Sequence, residues 1–358
     1  MVFPATDLLR LGLSNPRNLT SLTLKEWDVV IQQGRKAAML AKIHALLDES
    51  KLLHRIPSAP RAHLEAAHVV ASDQERVIRW EVYCIQRALA RVAPNFVLLK
   101  GAAYILSKLP IARGRIQSDV DVLVPKSELI AVEAALLANG WKHVKLEKYD
   151  QRYYRNWSHE LPPLYHSERG TIIDVHHNIL PETGRLHPDP NKLLERAEPI
   201  NGSACRRLCP VDMILHSAAH LFQDGDFHQG VRELADVDGL LRFFGAQRGF
   251  WEDLLQRAPE MNLHRPLFYA LRYSGRFLQT PIPDFFISAA QLWQPKIPAL
   301  KIMDHLVHQA LMPQNGKTRL ATESARWLLY VRSHWLRMPP LLLSHHLIYK
   351  AFKNRLSS

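Results

Sequence analysis

Residues 96–124, FVLLKGAAYILSKLPIARGRIQSDVDVLV, decide the fold. They read as a strand, a glycine turn, a short helix, a basic loop and a second strand that opens with Ser118-Asp119-Val120-Asp121. Side chains alternate along a strand, so Asp119 and Asp121 point the same way. Two carboxylates held that close repel each other. A divalent cation between them removes the repulsion, and an all-oxygen ligand set suits Mg²⁺ or Mn²⁺. Val120, Val122, Leu123 and Val124 read as a core strand, so the acids at its mouth have no packing role. The plain alternative is a solvated edge strand with two harmless acids, because D-x-D is a common pattern.

A third acid bears on the choice. Asp174 lies in TIIDVHHNIL, residues 171–180, among the β-formers Thr171, Ile172, Ile173 and Val175. Three carboxylates on neighbouring strands can hold two metal ions. Two metals can clamp a phosphoryl group and activate a hydroxyl for in-line attack.

On these residues the chain resembles the DNA polymerase β-type nucleotidyltransferase superfamily. More narrowly it resembles the bacterial uncharacterised nucleotidyltransferase family. The matching segments are Leu98-Leu99-Lys100-Gly101-Ala102, the run from Arg115 to Val124, and Ile173-Asp174-Val175-His176. The resemblance is sharpest over residues 96–178 and weaker over the helical flanks. It implies that Asp119 and Asp121 bind both metal ions, and that Asp174 completes one metal site and helps deprotonate the acceptor. It also implies that Gly101 lets the backbone approach a triphosphate, that Ser118 steadies the loop or touches a phosphate, and that Lys100 and Arg115 meet the triphosphate charge, with Arg113 in reserve. One departure stands out. Superfamily members usually carry Gly-Ser or Gly-Gly-Ser in the first turn, whereas this chain has Lys100-Gly101-Ala102 and lacks the serine hydroxyl.

Composition agrees with an enzyme of this kind. At 358 residues and 47% hydrophobic, the chain can bury at least one sizeable core. A charged fraction of 22% argues against disorder. Cys84, Cys205 and Cys209 do not suggest a disulfide framework. That cysteine usage points to a reducing cytoplasm, and MVFPATDLLRLGL lacks the charged start and apolar core of a signal peptide. No uninterrupted apolar run is long enough for a membrane span. The net charge of +12 favours polyanions: a nucleoside triphosphate, RNA or an acidic membrane surface.

The expected class is α+β, a small mixed-sheet nucleotidyltransferase core flanked by N-terminal helices and a C-terminal helical domain. The expected division is 1–93, 94–183 and 184–358. Thr23-Leu24-Lys25-Glu26 matches a capping box before an apolar-periodic run ending near Leu47. A second helical run, kinked near Ser72, reaches Val92. Ser127 is expected to cap a helix from Glu128 to Asn139. Trp141–Glu147, Gln151–Trp157 and Leu164–Ser167 have strand-like composition. Tyr153, Tyr154 and Trp157 suit either base stacking or sheet packing, and His159 and Glu160 lie in a loop within reach of the site.

Histidines extend the candidate site. His176 follows Asp174 by two positions, where it can orient the acid, contact a phosphate or carry a proton, or simply bond the backbone at a strand end. His216 and His220 share a helix face, and His220 is expected to face the cleft. Cys205, Cys209, His216 and His220 resemble a zinc set in residue type, but the gap between the pairs is too short for a finger. Arg232 and Asp236 are spaced for a solvated intrahelical ion pair, and the resemblance also implies a role for this helix in nucleotide or acceptor binding. Residues 324–356 form basic, Trp- and Leu-rich amphipathic segments that either pack on the helical domain or lie on an anionic membrane. The expected reaction moves a nucleoside monophosphate from an NTP to an acceptor hydroxyl with release of pyrophosphate. The alternatives are a nucleotide-binding regulatory or antitoxin-like module without turnover and an RNA-directed nucleotidyltransferase, although no RRM, KH or zinc-ribbon signature is present.

Overall fold

The computed structural model describes residues 8–144, 154, 157–225, 227–312 and 319–338. Its centre is a mixed sheet of seven strands: β1 (Val97–Leu98), β2 (Asp119–Leu123), β3 (Trp141–His143), β4 (Leu164–His166), β5 (Ile172–His176), β6 (Glu198–Pro199) and β7 (Arg206–Arg207). The order across the sheet is β3-β4-β5-β2-β1-β7-β6. The protein is therefore α+β, with the sheet embedded in helices from both ends of the chain.

The central pair sets the site. β2 runs parallel to β5, with Asp119 opposite Ile172 and Asp121 opposite Asp174. β1 pairs antiparallel with β2 on its other side, Leu98 against Val122. Val120, Val122 and Ile173 are fully buried, each contributing about 2 kcal/mol by leaving water. A one-residue slip would turn these side chains out of the core, so their burial locks the register that brings Asp121 beside Asp174.

The sheet draws two strands from beyond residue 183. β7 pairs parallel with β1, and β6 pairs antiparallel with β7. The tripartite division at residues 93 and 183 stands as a proposal, with β6 and β7 forming the sheet's far edge.

The N-terminal helices follow the caps. Thr23 Oγ1 accepts from the Glu26 amide at 3.3 Å, and Glu26 Oε2 accepts from the Thr23 amide at 2.8 Å, the reciprocal bonds of a capping box. The helix that starts there spans Leu24–Lys36 and a second spans Leu40–Glu49. The single expected run is thus divided near Ala38, whose φ is +54°. The following helix is one unit, Ser58–Leu89, continuous through Ser72. Ser127 lies inside a 3₁₀ turn, Lys126–Glu128, rather than at a cap, and the α-helix begins at Leu129. Tyr154 and Trp157 carry helical rather than strand backbone. The rest of 145–156 lies outside the described residues.

The C-terminal helices pack chiefly on one another. Pro210 opens the helix Pro210–Ala219, as expected from its fixed φ. A π-helical turn, His220–Asp224, continues it. The helix Leu320–Arg337 docks back on the core: Arg332 Nη1 donates to the Phe222 carbonyl at 2.8 Å, and Thr183 Oγ1 donates to the Arg337 carbonyl at 2.9 Å. Residues 339–356 of the expected membrane-facing segment lie outside the described residues.

Candidate active site

Asp119, Asp121 and Asp174 line one cleft of about 960 Å³, together with Lys100, His176 and His220. A smaller cavity of about 150 Å³ opens beside it at the glycine turn, bordered by Lys100, Gly101, Arg115, Ser118, Asp119 and Asp121. The residues picked out by the sequence thus meet around adjoining spaces.

Asp121 is the most constrained of the acids. Its Oδ1 accepts from Lys100 Nζ at 3.3 Å and lies 3.0 Å from His176 Nε2. Burial alone would raise its pKa, but the Lys100 ammonium and His176 outweigh it and hold the carboxyl well below the usual range. His176 shows the reciprocal effect. Burial lowers its pKa, and the nearby Glu160 and Asp121 carboxylates raise it by more.

Asp174 is the opposite case. Burial comes first, then the charges of Asp121 and Glu160, and together they push its carboxyl up to about 7. Its Oδ1 is buried without a hydrogen-bond partner. A buried, unsatisfied carboxylate oxygen among like charges is unfavourable for the fold alone, and it is what a cation ligand requires. The all-oxygen donor set of the three aspartates suits Mg²⁺ or Mn²⁺. The aspartates do not form the tightest set of ligand atoms. Among the described residues, the group whose ligand atoms all lie within 4.8 Å of one another is His159, Glu160 and His176. Lys100 and His176 hold Asp121 by its Oδ1.

The glycine turn has its own tension. Lys100 adopts φ +44°, a left-handed conformation that costs a non-glycine residue about 1 kcal/mol or more. The ion pair to Asp121 and the bond from the Leu99 amide to the Asp121 carbonyl, 3.0 Å, brace it there. A Cβ on Gly101 would overlap Gln117 Oε1 and Arg115 Nη1. In this state the space before Gly101 is thus taken by two side chains rather than left open as an anion pocket. Gln117 ends in a flexible amide, so that space can be cleared without moving backbone.

Arg115 is firmly tied. Its Nε donates to Asp236 Oδ2 at 2.9 Å and its Nη1 to Gln117 Oε1 at 2.7 Å. This corrects the intrahelical pair read from the sequence: Asp236 serves Arg115, while Arg232 Nη1 donates to the Ile116 carbonyl at 3.2 Å. Arg232 borders both cavities and is the basic group that spacing alone had given to a solvated pair. Arg113 pairs instead with Asp48 at 2.9 Å, on an exposed surface. Ser118 is exposed at the rim of the small cavity.

His220 heads the π-helical turn, a distortion often found at functional sites. It borders both cavities, and its Nδ1 lies 3.2 Å from Glu233 Oε2. His216 is buried on the wall of the large cleft, where burial and the Lys100 charge hold it well below its usual pKa. Cys205 and Cys209 are buried thiols raised by that burial, Cys205 to about 11 and Cys209 to about 12. Cys205 Sγ accepts from Gln86. The two cysteines do not gather with His216 and His220 into a metal cluster among the described residues.

The family model for uncharacterised nucleotidyltransferases matches residues 23–279. The chain belongs to this family. No curated protein and no solved structure matches the chain. The matched range runs from the capping box to the end of the helix His264–Leu278. It includes every nucleotidyltransferase site residue proposed from the sequence, and membership supports a general role in nucleotidyl transfer.

Some of the large cleft lies outside that range. Glu323, Arg326, Trp327, Tyr330, His334 and Arg337 of the helix Leu320–Arg337 form a wall of the large cleft. Their spacing is that of one helix face, which the sequence showed only as an amphipathic stripe. The same helix leaves Trp327, Leu328 and Trp335 partly exposed. Among the described residues no helix is long and apolar enough to cross a membrane.

Proposed function

We propose that the protein transfers a nucleoside monophosphate from an NTP to an acceptor hydroxyl, releasing pyrophosphate. The observation that carries this reading is the parallel register that sets Asp121 opposite Asp174, with Asp119 on the same cleft. Asp119, Asp121 and Asp174 would hold two divalent cations, Mg²⁺ or Mn²⁺, which supply charge neutralisation of the phosphoryl group and a more acidic acceptor hydroxyl. Lys100, Gly101, Ser118 and Arg115 border the small cavity and hold the triphosphate in this reading. Lys100 moves from Asp121 to the phosphates as the carboxylate takes up its ligand role. Gln117 swings clear of Gly101 in the same step. Asp174, kept ionised by the cations it would help to hold, would assist deprotonation of the acceptor hydroxyl. His176 and His220 act as accessory groups, His176 by orienting Asp121 and His220 from the shared rim of the two cavities. Arg232 adds positive charge at that rim. Most of the rate enhancement would come from positioning and charge neutralisation, as in other phosphoryl transfers.

The acceptor enters through the large cleft. Tyr154, Trp327 and Tyr330 offer aromatic faces there, and Arg326 and Arg337 offer charge. A small molecule, a protein side chain and an RNA end all fit that description.

A second reading has an observation in its favour. The Lys100–Asp121 pair and the Gln117 side chain against Gly101 keep the site closed, as a nucleotide-binding regulatory module without turnover would. Incubation with each of the four α-labelled NTPs, Mg²⁺ and a host lysate separates the two. Transfer predicts label on a lysate component, lost in Asp119→Asn. NTP binding by calorimetry, with no pyrophosphate released against any lysate fraction, would instead establish the module.

A further inference from the structure

We propose a second, nitrogen-rich metal site at His159, Glu160 and His176, which takes a borderline divalent cation of the Zn²⁺ class. It is separate from the three aspartates and does not depend on the transfer reaction.

Backbone bonds build the site. Glu160 forms an isolated antiparallel bridge with His176. The Leu161 amide donates to the Val175 carbonyl at 2.8 Å, and the His177 amide to the His159 carbonyl at 2.8 Å. The loop carrying His159 and Glu160 is thereby stitched to the end of β5. Their ligand atoms and that of His176 all lie within 4.8 Å of one another. The two imidazole rings sit 5.4 Å apart, tilted by 35°.

The orientation of His176 points the same way. His176 as a whole is 4% exposed. Nε2 lies 3.0 Å from Asp121 Oδ1, so the carboxylate fixes the proton on that nitrogen. Nδ1 then faces Glu160 Oε2 at 3.3 Å, yet makes no hydrogen bond. Either a proton or a cation must therefore sit between Nδ1 and that carboxylate oxygen. A proton there would favour hydrogen-bond geometry, whereas a cation set to one side of the line would not. The carboxylate–histidine–cation arrangement is the usual way a metal-bound imidazole is oriented. Two nitrogens and one oxygen suit Zn²⁺ or Co²⁺ rather than Mg²⁺. All three residues open on the large cleft, which gives the ion an entry path and leaves a coordination position facing the acceptor space.

The test uses the full chain, stripped by chelator, desalted and reloaded with Co²⁺ in millimolar Mg²⁺. The expected result is a single retained equivalent with visible d–d bands, displaced by Zn²⁺. Glu160→Gln and His159→Gln should each weaken Co²⁺ binding by about tenfold or more and remove the bands, with circular dichroism unchanged. Asp119→Asn should keep both metal and bands. If one ligand variant fails to fold, the other still decides. Absence of retained Co²⁺, or retention unaltered in a folded ligand variant, overturns the site. Loss of the bands in Asp119→Asn would overturn it too, by moving the cation to the aspartates.

Discussion

Replacing Asp174 with Asn should stabilise the protein in the presence of chelator, and the gain should depend on pH in a defined direction. The unfolded carboxyl gives up its proton near 3.8, while the folded one holds it to about 7, because burial and then the charges of Asp121 and Glu160 oppose ionisation. Between those values the folded state binds more protons, so stability falls as pH rises from about 4 to about 7 and stays lowered above that. The full difference sets a ceiling of about 4 kcal/mol at alkaline pH. Water at the partly exposed edge of the side chain reduces this to about 2 kcal/mol. In a chain of this size that is a rise in Tm of about 3 °C. Asn keeps the shape and removes the ionisation, so Asp174→Asn should melt higher than the parent near pH 8 and at the same temperature near pH 4. Millimolar Mg²⁺ should narrow the gap by stabilising the parent alone. Thermal unfolding by circular dichroism, with and without chelator, reads all of this. A variant no more stable near pH 8, or a gap of equal size near pH 4, refutes the reasoning.

Other outcomes follow from the same geometry. Asp119→Asn and Asp121→Asn should each lower pyrophosphate release by about a thousandfold or more, with far-UV circular dichroism preserved. Arg257 donates twice to Asp212, at 2.9 Å each, and both are almost wholly buried. Arg257→Ala should therefore cost about 3–5 kcal/mol in urea unfolding by stranding the Asp212 charge. Gly101→Ala should cost about 1 kcal/mol, because its methyl meets only the flexible ends of Gln117 and Arg115, which must shift. In a double-mutant cycle Gln117→Ala should recover part of that loss, and full additivity of the two substitutions would contradict the packing.

The part of the fold legible in the sequence was the part with two independent signals. β2 and β5 announced themselves through apolar runs interrupted by acids at one parity, and their parallel pairing supplied the rest. The Thr23 box and Pro210 were legible because capping chemistry is local. β6 and β7 were not, because each is two residues long and owes its strand backbone to partners far away in sequence. The Arg115–Asp236 pair was hidden for the same reason: Arg232 is four residues from Asp236 on one helix, but tertiary packing brought Arg115 closer. The site followed the same division. Asp119 and Asp121 could be read from strand parity, Asp174 from the β-formers around it, and His176 from its place in the family pattern. The cleft wall supplied by Leu320–Arg337 required the helix to fold back across the core. Gln117 carried no signal, because an amide that fills a glycine's space looks in sequence like any loop residue.

The central claim is that the β2 and β5 carboxylates jointly hold the cations on which transfer depends. A crystal structure with a non-hydrolysable NTP and Mn²⁺, read by anomalous scattering, tests it most directly. The account predicts Mn²⁺ peaks in contact with Asp119, Asp121 and Asp174, with Lys100 turned from Asp121 to the triphosphate. Nucleotide bound elsewhere, or bound here with the Lys100–Asp121 pair intact and no Mn²⁺ at the aspartates, would contradict it.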